Sequence, residues 1–201
     1  SGNWVWAVQA GGNDFDTGLR IYLDTQGNVY FIGVFTSVAN FGTIQMTSMG
    51  HYDIFVAKIS SNGSWDWVAQ AGGTGFDKAS DIHIGSDGSI YVSGGFEANA
   101  YFGDNLLVSN GLSDIFIAKI NAEGCWVWAK STGGVGTDHC YPVSTDANHN
   151  VILAGQYYSS IQFGNHVLTS TGDSDTFVAK LDRNGNWLWA NTAGGEYSID
   201  R

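Results

Sequence analysis

The frame Trp-x-Trp occurs four times, at Trp4/Trp6, Trp65/Trp67, Trp126/Trp128 and Trp187/Trp189, and each occurrence lies 61 residues after the one before. No insertion or deletion interrupts the spacing. A period this long and this strict constrains the fold more than any local pattern, because each copy must build the same supersecondary unit. The whole chain, 1–201, therefore reads as a single repeat domain. Its copies run over about 4–64, 65–125 and 126–186, with a partial fourth copy at 187–201.

Other positions return at the same interval. They include the pairs Gly11-Gly12, Gly72-Gly73, Gly133-Gly134 and Gly194-Gly195, then Asp16, Asp77 and Asp138, then Gly33, Gly94 and Gly155. Phe41-Gly42, Phe102-Gly103 and Phe163-Gly164 follow. The strongest block is Asp53-Ile-Phe-Val-Ala-Lys58, matched by Asp114-Ile-Phe-Ile-Ala-Lys119 and Asp175-Thr-Phe-Val-Ala-Lys180.

Each copy reads as four strands. In the first, strand A covers about Leu19–Asp24 and strand B about Val29–Phe35. A connection of roughly 17 residues follows, with a short extra strand expected at Ile44–Thr47. Strand C covers about Ile54–Ser60, and strand D about Trp65–Ala71. Asn62-Gly63 between C and D is a hairpin signal, because both residues tolerate positive φ. No helical period is visible. With 28 Gly and 1 Pro, the composition suits many tight turns between strands.

Four-stranded units repeating without gaps predict an all-β fold, a β-propeller of antiparallel blades. Stacked blades bury both faces of their middle strands, which accounts for the continuous apolar run Ile54-Phe-Val-Ala. The chain would hold three blades plus one spare D-type strand, either Trp4–Ala10 or Trp187–Ala193. Three blades cannot close a ring, so two arrangements stay open: self-association into a six-bladed ring, or membership of a longer array.

Composition narrows the partners. Eight Lys+Arg against 19 Asp+Glu give a formal charge of −11, which argues against nucleic acid and against a polybasic membrane contact. No apolar run is long enough to suggest a membrane span. The opening SGNWVWA lacks the charged and apolar regions of a signal peptide, so a secreted form would be a mature one.

The full pattern, from Trp-x-Trp-Ala through Gly-Gly, Gly-Asn-Val-Tyr, Phe-Gly and Asp-Ile-Phe-Val-Ala-Lys to Asn-Gly-x-Trp, resembles the SBBP-type β-propeller repeat of bacterial secreted and surface proteins. The resemblance covers essentially the whole chain. It implies the propeller fold and an extracellular or cell-surface location. It implies no substrate, because the family is defined by architecture.

Up-down topology puts the A–B and C–D turns at one end of each unit. The other end carries Asp16 and Asp53, Asp77 and Asp114, and Asp138 and Asp175. Two readings of these carboxylates stand open: repeated ligands for cations such as Ca²⁺ or for sugar hydroxyls, or loop caps accepting backbone N–H groups. The eight tryptophans are expected on one face of strand D, filling the gap between blades as structural core. Tyr52, Tyr101, Tyr157 and Tyr158 in the long connections are the candidates for stacking on sugar rings.

Lys58, Lys119 and Lys180 share one strand position and read as ion pairs or stems lying along a blade edge. The five histidines occupy five different repeat positions without zinc-ligand spacing. Cys125 and Cys140 fall at opposite ends of a strand and are too far apart for a disulfide. No nucleophile–base arrangement is visible, so a non-enzyme is expected, with no cofactor beyond calcium. The functional expectation is a binding module, recognising a glycan or surface polymer at several equivalent sites. The alternative is a structural spacer or self-assembling unit without a small ligand.

Overall fold

A computed structural model describes residues 2–196 and is built from strands without helix. The strands are β1 (Ala10–Gly12), β2 (Asp16–Leu23), β3 (Val29–Phe35), β4 (Val38–Phe41), β5 (Ile44–Thr47), β6 (Asp53–Ile59) and β7 (Trp65–Gly73). They continue with β8 (Lys78–Ile84), β9 (Ile90–Phe96), β10 (Asn99–Phe102), β11 (Asn105–Val108), β12 (Asp114–Ile120) and β13 (Trp126–Thr132). The last four are β14 (His139–Thr145), β15 (Val151–Phe163), β16 (His166–Leu181) and β17 (Trp187–Ala193).

Three antiparallel four-stranded units result: β2-β3-β6-β7, β8-β9-β12-β13 and β14-β15-β16-β17. Strand B begins and ends where the sequence predicts, and the other three differ at their ends by up to three residues. The long connection is richer than expected. The strand at Ile44–Thr47 has a partner, Val38–Phe41, and the two close over Gly42 at φ 63°. This hairpin does not stay within its own unit. β4 pairs with β1, and β10 pairs with β7 of the preceding unit, in the same register. In the third unit the hairpin is continuous with the middle strands, so β15 and β16 are long.

The first strands β2, β8 and β14 pack against one another in sequence, while the last strands make no comparable contact. The first strands are therefore innermost and the units splay outward from them. The core lies mainly between units: Ile54 and Val56 of the first share one cluster with Ile82, Val92 and Phe116 of the second. Ile115 and Ile117 then join Val143 and Leu153 of the third.

The tryptophan expectation needs two corrections. A β-bulge between Lys58/Ile59 and the Trp65/Trp67 pair inserts Asp66 and turns the indoles to opposite faces. Trp65 joins the cluster of Phe41 and Phe55, while Trp67 joins the cluster shared with the second unit. The second correction concerns the strand expected at Trp4–Ala10: only Ala10–Gly12 is extended into a ladder, and Trp4 is 93% exposed. A D strand pairs along its length with a C strand, and residues 4–9 have none beside them. Trp6, Trp65, Trp67, Trp126, Trp128, Trp187 and Trp189 are partly buried.

Candidate functional site

At one end, turns of the first and third units are closed by aspartate, while Asn121 does the same in the C–D turn of the second. Asp24 accepts from the backbone N–H groups of Gln26 and Asn28. Asp146 and Asp182 repeat the device with Asn150 and Asn186. The Asn28 side chain in turn accepts from Ser61 N–H, tying the A–B turn to the C–D turn at the same end.

The opposite end carries the repeated Asp pairs, and the register sets Asp16, Phe35 and Asp53 in one row. Asp16, Asp77 and Asp138 cap the double-glycine corner, accepting from Gly12, Gly73 and Gly134 N–H at 2.6, 2.7 and 2.7 Å. Asp53, Asp114 and Asp175 accept from Met49, Asn110 and Thr171 N–H. Asp53, Asp77, Asp114 and Asp138 are fully buried. Burial raises all four, Asp77 to about 7, with the Asp53 charge adding to it. Each of these carboxylates thus accepts from a backbone N–H of its loop, as a cap does, and Asp16, unlike the buried members of the set, is half-buried and lines a small cavity with Gly11 and Phe31. Among the described residues, no group of three or more His, Cys, Asp or Glu is arranged to hold a metal ion.

The four tyrosines are not brought together. Tyr157 is buried and its hydroxyl bonds Thr192 at 2.8 Å, leaving no ring face for a sugar. Tyr52 packs between Phe15 and Phe76. Tyr101 stands exposed on a β10 hairpin, and Tyr158 lies in the third unit. The lysines behave as expected: Lys58 pairs with Asp66, Lys180 with Asp146, and Lys119 lies over the Tyr91 ring. Both cysteines are free, Cys125 exposed and Cys140 buried.

A site that sequence reasoning missed lies where the innermost strands converge. β2, β8 and β14 each carry a bulge at the equivalent position, between Gly18/Arg20, Ala79/Asp81 and Cys140/Val143. The three bulges line one cavity of about 420 Å³, with Leu19 and Arg20, Lys78 to Asp81, and Tyr141 and Pro142 as its walls. A bulge turns a side chain out of the pleat, which is why such irregularities gather at sites.

The cavity departs from the repeat at almost every position. Leu19 answers to Ser80 and Tyr141, and Arg20 to Asp81 and Pro142. Asp81 accepts from Val143 N–H at 3.0 Å and so holds the third unit's bulge. Arg20 donates to its neighbour's carbonyl, Leu19 O, at 2.9 Å. Among the described residues, neither Arg20 nor Lys78 is in an ion pair. The available signal was the mismatch between copies at these positions, set against the identity of Asp16, Asp77 and Asp138 only a few residues earlier.

No protein-family model matches the chain. It is similar to the uncharacterized WD repeat-containing protein L264 of Acanthamoeba polyphaga mimivirus, at 22% identity over 228 residues. That alignment covers 94% of this chain and 16% of the viral protein. The chain thus spans about a sixth of that relative's length. The likeness to a WD repeat-containing protein and the all-β sheets agree with a β-propeller-like repeat protein.

Proposed function

We propose that this chain is three blades of an SBBP-type β-propeller from a secreted or surface protein, and that it is a non-catalytic recognition module. Its ligand site is the cavity between the innermost strands, and the ligand class is an acidic glycan. The observation that supports this reading is a pair of cations, Arg20 and Lys78, that line the cavity outside any ion pair among the described residues, while the one carboxylate in its wall, Asp81, is engaged by Val143 N–H. Arg20 offers a planar fork matched to a carboxylate. Tyr141 offers an aromatic face to a sugar ring, and the Ser80 hydroxyl can exchange hydrogen bonds with ring hydroxyls.

Calorimetric titration with a uronic-acid oligosaccharide, beside its neutral counterpart, tests the reading. Binding of the acidic sugar alone, weakened at least tenfold by Arg20→Ala and by Tyr141→Ala, is the expected result. Equal or absent binding of both sugars overturns it.

A second reading is a spacer or self-assembling unit without a small ligand. It is favoured by the apolar faces that the first and third units leave uncovered.

A further inference from the structure

The two end faces of the chain are copies of faces that are already packed together inside it. Ile21, Ile82 and Val143 occupy one repeat position on the innermost strands. Ile82 and Val143 are 4% and 5% exposed because a preceding unit covers them, whereas Ile21 is 64% exposed. Val56, Ile117 and Val178 occupy one position on the third strands. Val56 and Ile117 are fully buried by the following unit, and Val178 is 43% exposed. Around Val178 the third unit forms a concavity of about 780 Å³ lined by Tyr141, Tyr158, Thr176 and Phe177. The first unit therefore shows the surface that inside the chain inserts, and the third unit shows the surface that receives it.

The strand edges tell the same story. Trp67 donates its indole N–H to Ala122 O in the following unit's C–D turn, and Trp128 donates to Arg183 O. Trp6 makes the corresponding bond, to Ser61 O at 3.0 Å, and packs on Gly63. Ala10–Gly12 pairs with β4 just as Ala71–Gly73 pairs with β10. The segment from Trp6 to Gly12 thus fills the slot that a D strand of a preceding unit fills elsewhere. Trp189 and Ala193 are the repeat equivalents of Trp6 and Ala10, at the other end of the chain.

We propose that copies of this chain join head to tail, the third unit of one against the first unit of the next, and that the segment from Trp6 to Gly12 is a self-complementing segment that must be displaced when the incoming Trp189–Gly195 takes its slot. The partner is a second copy because the contact repeats two interfaces already formed by the same sequence positions. The contact is heterologous, with different surfaces on its two sides. Strand exchange supplies the main-chain ladder, as in other edge additions. The inference stands whether or not the cavity between the innermost strands takes a ligand.

The test is the mass of the purified 201-residue chain over a dilution series, by sedimentation equilibrium, for the wild type and three variants. Ile21→Glu and Val178→Glu each block one face at a position already exposed, so folding is retained and is checked by circular dichroism. Each variant alone is expected to be monomeric. Their equimolar mixture is expected to give a species of twice the chain mass, since one intact face of each kind remains. Trp6→Ala, which loosens the resident strand, is expected to strengthen wild-type association at least tenfold. A monomeric mixture, or a Trp6→Ala chain no more associated than the wild type, overturns the proposal.

Discussion

Trp67 reaches out of its own unit and donates its indole N–H to the carbonyl of Ala122 at 2.9 Å. Fifty-five residues separate the two, against a repeat of 61, so the bond always crosses a unit boundary. The ring also packs on Tyr30 and against Gly124. Trp67→Phe keeps most of the ring and removes the donor, which costs about 1 kcal/mol. Trp67→Ala removes the packing as well and costs about 3 kcal/mol, the low end for a half-buried indole. Urea midpoints at constant slope check both values.

The buried aspartates are expected to make stability fall as pH rises from about 4 to 7. Asp77 is held up at about 7 by burial, so the folded chain binds this proton more tightly than the unfolded one. Its contribution is fully present below the unfolded carboxylate value and is lost as pH rises through about 7. Asp53, Asp114 and Asp138 move in the same direction. His83, lowered by burial, acts the other way, losing stability as pH falls below its ordinary value. Asp77→Asn keeps an acceptor for Gly73 N–H and removes the charge. Its unfolding free energy, from urea titrations, is expected to change less between pH 5 and pH 8 than that of the wild type, by about 2 kcal/mol.

Gly94→Ala is expected to destabilise by about 1–3 kcal/mol. An added methyl group would collide with Lys78 O and meet the Phe116 ring at 2.7 Å. Gly33 and Gly155 stand in the same relation to Phe55 and Phe177, so alanine at either should cost a similar amount. Thermal melts of the three variants test whether the units are equivalent in this respect.

The two thiols should separate cleanly by reactivity. Cys125 is exposed, and Cys140 is buried with its thiol pushed up to about 12. A thiol reagent at neutral pH is expected to titrate one cysteine in the native chain and both in denaturant. Two fast equivalents in the native chain would contradict the burial of Cys140.

The repeat made most of the architecture readable in advance. Apolar runs such as Ile54-Phe-Val-Ala and turns such as Asn62-Gly63 carry their strand boundaries locally. The strand Val38–Phe41 was not readable, because its ladder with Ala10–Gly12 depends on how distant stretches of chain come together and leaves no local signal. The facing of Trp65 and Trp67 was hidden for a different reason. A bulge at Asp66 depends on how β6 and β7 pair, and the residue type does not announce it. The cavity between the innermost strands was hidden because it depends on residues from three copies converging. Leu19, Ser80 and Tyr141 look like unrelated drift until the fold sets them side by side. The aspartate pairs and their reading as caps were both visible, and what the structure added is which backbone N–H each one meets, such as Gly73 for Asp77.

Because Trp6, Trp67 and Trp128 each brace the turn of the next unit, no unit is finished by its own residues. Order in such a chain spreads between nearest neighbours, as in a row of coupled spins, and each boundary adds a fixed increment of cooperativity. The middle unit, braced from both sides, should then be the last to exchange its amide protons, while the outer two fray first. Lengthening the row would raise the protection of its interior without changing a single contact inside a unit.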